Sequence, residues 1–476
     1  MKIKKEILYA ALINFVLLVS GVYLGVSGRF LLVICVWVFL IFYALENIKD
    51  RSMLFAFLIA FFVFLLGRDF LQQFFKYQVE NFSENTQRYA YNAYLISLLT
   101  VGIGYYFFSS RKKHVAQYHT AHNSNRNYLL LVRQLSLYLY YITWIFAVIS
   151  KFLVGTFVAS RGITDYYTDY SEYLIGNSFY YLISKIELMM PVVWCIYLAS
   201  CPSKKKLKWP LILYVFYLVI SLGSGQRSTF MLGILFLFIY FMYRQGLNPE
   251  EVWVTRKMIF LGVLSLPLLA VFGSFYSIWR EGGDLATMNM AKGFIEFFYD
   301  QGVTSNVMKR AYIYKDQIPS NQIYVLEFLH SGILARLLGI PVYHGNNIEH
   351  AMYGGSFTHT LGYVVMGNAY LAGRGTGTCY ISELYQDMGY VGILLGNIIY
   401  AYLIAKIANK QDDKTLFLSS VRFMIITQLL WAPRGSFTGF ITQNIAPTTL
   451  VVFVMVFGMS KLIVSVKSKT KMKRIR

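Results

Sequence analysis

The sequence predicts an all-α integral membrane protein of about twelve transmembrane helices with one large extracytoplasmic loop. Three observations carry this. Of 476 residues, 57% are hydrophobic and only 14% are charged, against roughly a quarter charged in soluble domains. Apolar runs close to the ~20 residues that cross a bilayer recur along the chain. The basic residues collect in alternate gaps between those runs. A transmembrane barrel would show short alternating segments instead. The four cysteines form neither a disulfide framework nor a zinc-type spacing.

In chain order the spans fall at 7–26, 30–45, 53–68, 92–110, 128–153, 180–200, 210–225, 229–243, 259–279, 391–408, 415–432 and 445–465. The first follows the basic Met1–Lys5 and shows no cleavable signal pattern. Cytoplasmic loops carry excess Lys and Arg. By that rule one face holds Lys49 and Arg51, Arg111 to Lys113, Lys204 to Lys206, Arg256 and Lys257, Lys410 and Lys414, and both termini. The net charge of +21 is therefore mostly a topology signal, and nucleic acid is not an expected partner. Three units follow: helices one to nine over 1–279, the large outer loop over 280–390, and helices ten to twelve with a basic cytoplasmic tail over 391–476. His114, His119 and His122 read as a solvated cytoplasmic loop.

Arginine replaces lysine as the main cation on the outer face. Its planar fork binds phosphate or carboxylate bidentately, whereas lysine is a hydrated point charge. Outside span five, Arg161 lies in a tyrosine-rich stretch suited to stacking on sugars, although tyrosine is also the ordinary residue of the membrane interface. Arg227 sits in the tight turn between spans seven and eight, where a charge so near hydrocarbon needs a partner or a task. Arg280 emerges as span nine leaves the bilayer, and Arg434 precedes span twelve. Within the loop, 322–340 has helical apolar spacing interrupted by Glu327, His330 and Arg336, which predicts a helix lying on the outer surface. Gly354-Gly355 and Gly373-Arg374-Gly375 read as turns.

A ring of helix-tip arginines could hold the phosphate head of an embedded lipid and stabilise a departing pyrophosphate without a metal. Transfer to a hydroxyl also needs a base. Glu281, Asp284, His350, His359 and Glu383 are the candidates. We assign His359, Glu383 and Arg280 as candidate catalytic groups, and Arg161, Arg227, Arg336, Arg374 and Arg434 as candidate substrate-binding groups. No metal site and no cofactor is expected.

The run Gly373-Arg-Gly-Thr-Gly-Thr-Cys-Tyr-Ile-Ser-Glu383-Leu-Tyr-Gln-Asp-Met-Gly389-Tyr-Val-Gly392 enters a span. It resembles the loop-to-helix segment of the Wzy-type O-antigen and capsule polymerases. The Gly223–Ser228 tip, Arg161-Gly162 with its tyrosines, and Pro433-Arg-Gly-Ser436 are similar as well. This resemblance implies a lipid-carrier glycosyltransferase with a GT-C-like membrane fold in the bacterial cytoplasmic membrane. It implies undecaprenyl-pyrophosphate-linked glycans as substrates, membrane lipids around it, and a chain-length regulator and a flippase as partners. Two other readings stay open: a ligase of the same fold, and a lipid-linked oligosaccharide flippase or transporter.

Overall fold

The computed structural model describes residues 5–110, 126–162, 165–166, 169–223, 227–248, 250–255, 257–258, 271–273, 275, 289–408 and 415–466. Most of the expected ninth span, Arg280, Glu281, Asp284 and the His114–His122 trio lie outside the described residues.

The long helices in chain order are α1 (Lys5–Tyr23), α2 (Gly28–Glu46), α3 (Ile48–Phe61), α4 (Gly67–Phe75), α5 (Glu84–Ser110) and α6 (Arg126–Arg161). They continue with α7 (Ser178–Glu187), α8 (Met190–Ala199), α9 (Lys204–Gly223) and α10 (Arg227–Leu247). Then come α11 (Met290–Gln301), α12 (Val303–Ile313), α13 (Tyr380–Ala408), α14 (Leu416–Trp431) and α15 (Pro447–Phe453). Ten helices among the described residues are long and apolar enough to cross a membrane, counting α3–α4 and α7–α8 as continuous rods. α5 is a further 27-residue helix with one face packed on α2 and α13. Its Gly102 and Gly104 leave room for Leu40 and Ala401, and its Ser97 accepts a bond from Asn397 at 3.1 Å.

Breaks in these rods have local causes. A π turn over Phe62–Leu66 joins α3 to α4. Pro191 sits in the first turn of α8, where its missing N–H costs nothing but α7 cannot continue through it unchanged. Gly389, at φ +60°, bends α13 between its polar start and its spanning part. The bend presses Leu384 onto Gly392, where a Cβ would lie 2.2 Å from the Leu384 carbonyl oxygen. That gives Gly389 and Gly392 of the sequence motif a structural reason.

One end of the bundle carries the large loop, whose α12 is sunk into the frame while α11 packs along it. Asp69 and Lys309 form an ion pair with side chains only 1% and 2% exposed. Ser305 donates to Asp69 at 3.0 Å, and Tyr94 donates to Ser305 at 3.1 Å. Around this core, Glu80 accepts from Asn306 and Arg310 at 3.0 and 2.6 Å. The Tyr77 hydroxyl donates to Glu296 at 2.9 Å. Gly302, between α11 and α12, lies against the Arg68 backbone, where any Cβ would meet Arg68 N at 2.7 Å.

The rest of the loop closes on a small core of Val307, Ala311, Ile318, Tyr324, Phe357 and Leu361. The single surface helix expected over 322–340 does not form. A 3-10 turn spans Tyr324–His330, and a separate short helix spans Gly332–Leu337. The Asp387 carboxylate takes the N–H groups of Tyr324 and Val325 at 3.1 and 2.8 Å, and Gly332 breaks the run at φ +63°.

Removing one partner of a buried pair strands the other charge, at a cost of about 3–5 kcal/mol. Lys309→Met should therefore sharply lower the thermal midpoint of the purified protein in detergent. Asp69→Asn combined with Lys309→Met should recover part of that loss. A single variant as stable as wild type would show that the pair does not anchor the loop.

Candidate active site

Arginines from distant parts of the chain meet at the end of α11. Arg227, the first residue of α10, donates to the Gly273 carbonyl at 2.7 Å and lies 3.9 Å from the Asp300 carboxylate. Arg434, in the 3-10 turn Ala432–Arg434 after α14, donates to Gln301 at 3.1 Å. The aromatic rings of Phe64 and Trp431 flank it at 5.9 and 5.7 Å. Buried Arg68 donates to the Tyr299 carbonyl at 2.9 Å and covers the Tyr299 ring at 4.1 Å. Three guanidinium groups thus bracket Tyr299-Asp300-Gln301. Asp69, the nearest buried carboxylate in sequence, is already paired with Lys309. The cluster carries more positive than negative charge and suits an anionic head group.

The segment after Arg434 carries acid groups on its other side. Glu383, at the polar start of α13, is 0% exposed. One of its oxygens accepts from Thr378 at 2.8 Å and the other from the Phe437 N–H at 2.7 Å. Glu327, on the 3-10 turn, is only half-buried. It accepts from the Ser356 hydroxyl at 2.6 Å. Burial pushes the Glu327 carboxyl above its usual range, and the Ser356 and Ser436 hydroxyls oppose that rise. The Glu327 charge also acts on Glu383. Consecutive Cα atoms are ~3.8 Å apart, so residues 434–437 set Arg434 within a few residue lengths of both acids.

Other expected site residues are placed elsewhere. His359 shares a hydrogen bond with the Tyr370 hydroxyl at 2.9 Å and stacks on His350 with ring centroids 3.6 Å apart. Burial, with the His350 ring beside it, pushes the His359 imidazole down to about 4. None of these partners shares a hydrogen bond with Glu327 or Glu383 among the described residues. Glu383 is also sealed from solvent and works here as the clamp on the Phe437 turn. Arg161, Arg336 and Arg374 are exposed. Arg161 lies over Phe157 at 5.3 Å, and the Arg374 backbone carbonyl holds Asn346. None of the three forms an ion pair among the described residues. The tyrosines near Arg161 are partly spent on packing, Tyr170 against Phe157 at 5.0 Å.

Sequence reasoning missed Arg68, Glu327 as a site group, and the Asp300-Gln301 receiver. Charges interrupting apolar runs at Arg68-Asp69 and at Glu327 were the available signal. Among the described residues, no group of three His, Cys, Asp or Glu side chains could hold a metal ion.

The family model for the O-antigen polysaccharide polymerase Wzy matches residues 6–467. The chain belongs to that family. Comparison with curated proteins and with solved structures finds no match. In this Wzy-family chain the matched range takes in both arginine turns, the large loop and the two acids.

Between about pH 6.5 and 4 the unfolded chain protonates His359 while the folded chain does not. The unfolded state then binds more protons, so folded stability falls as pH drops through that window, by at most about 1.4 kcal/mol per unit. Midpoints recorded from pH 7 to 4.5 should show a shallower acid loss for His359→Gln than for wild type. Identical slopes would contradict the buried, neutral imidazole.

Proposed function

We propose that this protein polymerises undecaprenyl-pyrophosphate-linked oligosaccharide repeat units into surface polysaccharide, O-antigen or capsule, at the outer face of the bacterial cytoplasmic membrane. The growing chain is the donor, and one lipid-linked repeat unit is the acceptor. The frame is read as GT-C-like, with many spans carrying a site at one membrane face and both termini in the cytoplasm. A flippase would supply the repeat unit, and a chain-length regulator would set when transfer stops.

The observation that carries this reading is the convergence of Arg227 and Arg434 on Asp300 and Gln301, beside the acid pair Glu327 and Glu383. In the proposed reaction the bond from the donor anomeric carbon to the pyrophosphate oxygen breaks. A bond from that carbon to the acceptor hydroxyl oxygen forms. The hydroxyl proton passes to Glu327, a carboxylate whose affinity for protons burial raises. Lipid pyrophosphate leaves with its charge held by Arg227 and Arg434. Glu383 keeps the 434–437 segment in register. Arg280 remains a proposed ligand of the same head group, and Arg161, Arg336 and Arg374 proposed contacts for the outer glycan. A ligase of the same fold would share this chemistry and differ only in acceptor.

Deleting the gene in its host and resolving the surface glycan on a gel tests the reading. Single repeat units are expected. Complete long chains would refute polymerisation, repeat units trapped on the inner leaflet would favour a flippase, and long polymer left unattached would favour a ligase. Complementation with Glu327→Gln should lose about 10²–10⁴-fold in polymer formation, and Arg227→Ala or Arg434→Ala should also lose polymer while the protein stays in the membrane. Normal chain length in all three variants would remove these residues from the site.

A further inference from the structure

A cavity of about 350 Å³ opens on the large loop, walled in part by Asn321, Gln322, Leu326, His330, Met352 and Tyr353. Ligand pockets run from roughly 300 to 1,000 Å³, so this one takes a small ring rather than a lipid. Its shape is fixed by the chain. The Gln322 side chain staples the 352–355 turn: its amide nitrogen donates to the Met352 carbonyl, and its oxygen accepts from the Gly355 N–H at 2.8 Å. Gly355, at φ +64°, lets that turn close over His330. A Cβ there would stand 2.6 Å from the imidazole. A wall held this way loses little freedom when a ligand arrives.

The chemistry of the wall selects the ligand. Neither Lys nor Arg, and neither Asp nor Glu, lines it, so it is not built for phosphate. His330 contributes its ring to the wall, with Nδ1 turned away from solvent. Asn321 offers an exposed amide. Tyr353 holds its ring on the rim at 62% exposure, with Leu326 and Met352 supplying further apolar surface. An aromatic face with apolar neighbours and an exposed amide match a ring that has a C–H face and hydroxyl edges. The cavity also adjoins the acid cluster. His330 packs on Gly355, and the next residue, Ser356, bonds Glu327.

From these features we infer that the cavity seats one uncharged sugar ring of the glycan substrate and delivers the neighbouring hydroxyl toward Glu327. The inference rests on the polymerase reading for the identity of the glycan, but the site itself rests on the cavity wall. The test uses the whole purified protein in nanodiscs, with repeat-unit oligosaccharide released by mild acid from the lipid-linked pool of the host as the probe. Saturation-transfer NMR should show binding to wild type, insensitive to salt. Tyr353→Ala, His330→Leu and the surface change Asn321→Ala should each weaken it about tenfold or more, with thermal midpoints for Tyr353→Ala and Asn321→Ala close to wild type. No binding to wild type, or unchanged affinity in Tyr353→Ala and Asn321→Ala, would overturn the subsite. Binding with these losses in a protein whose deletion leaves long surface polymer would sink the polymerase reading and leave the subsite standing.

Discussion

The buried contact between Asp69 and Lys309 is the constraint on which the rest of this structure depends. A lysine and a carboxylate this enclosed are stable only while both are present and bonded. Ser305 and Tyr94 complete the shell. The pair ties α12, which belongs to the loop, to α4 and α5, which belong to the frame. Because α11 and α12 join at Gly302, fixing α12 also fixes the end of α11. That end is where Tyr299, Asp300 and Gln301 receive Arg68, Arg227 and Arg434. A loop that drifted by one helical turn would lose all three contacts together.

The second dependency runs through residues 434–437. Arg434 faces α11, the Ser436 hydroxyl acts on Glu327 and the Phe437 N–H bonds Glu383. A stretch four residues long thus joins an arginine side to an acid side. In the proposed reaction these are the leaving-group side and the acceptor side. Glu383 is the interior member: fully enclosed and doubly bonded, it holds geometry. Glu327 is the reachable member, with a hydroxyl on each flank and the sugar-sized cavity one residue further on.

How much of this was legible in the sequence follows from the range of the signals. Apolar length and the lysine bias are local, so the helices from α1 to α10 and those after Tyr380 were largely readable. The helix-tip arginines 227 and 434 were readable for the same reason: a charge beside hydrocarbon stands out. Their shared receiver was not, because Asp300 and Gln301 reach them only through the docking of α11. Short elements defeat periodicity altogether. The run at 322–340 reads as one amphipathic helix, yet Asp387 captures its first N–H groups and Gly332 ends it. Glu327 was visible as an interruption in that run, but its partners Ser356 and Ser436 are remote in sequence. His359 and Glu383 looked equivalent as outer titratable groups, and only burial and bonding separate them.

The central claim is that one polypeptide joins lipid-linked repeat units with lipid pyrophosphate as the leaving group. Liposomes holding only the purified protein and lipid-linked repeat unit test it directly. The account predicts a ladder of glycan multiples, with one molecule of lipid pyrophosphate freed for each new glycosidic bond. Repeat units that stay single in that mixture, with the protein folded, would contradict it.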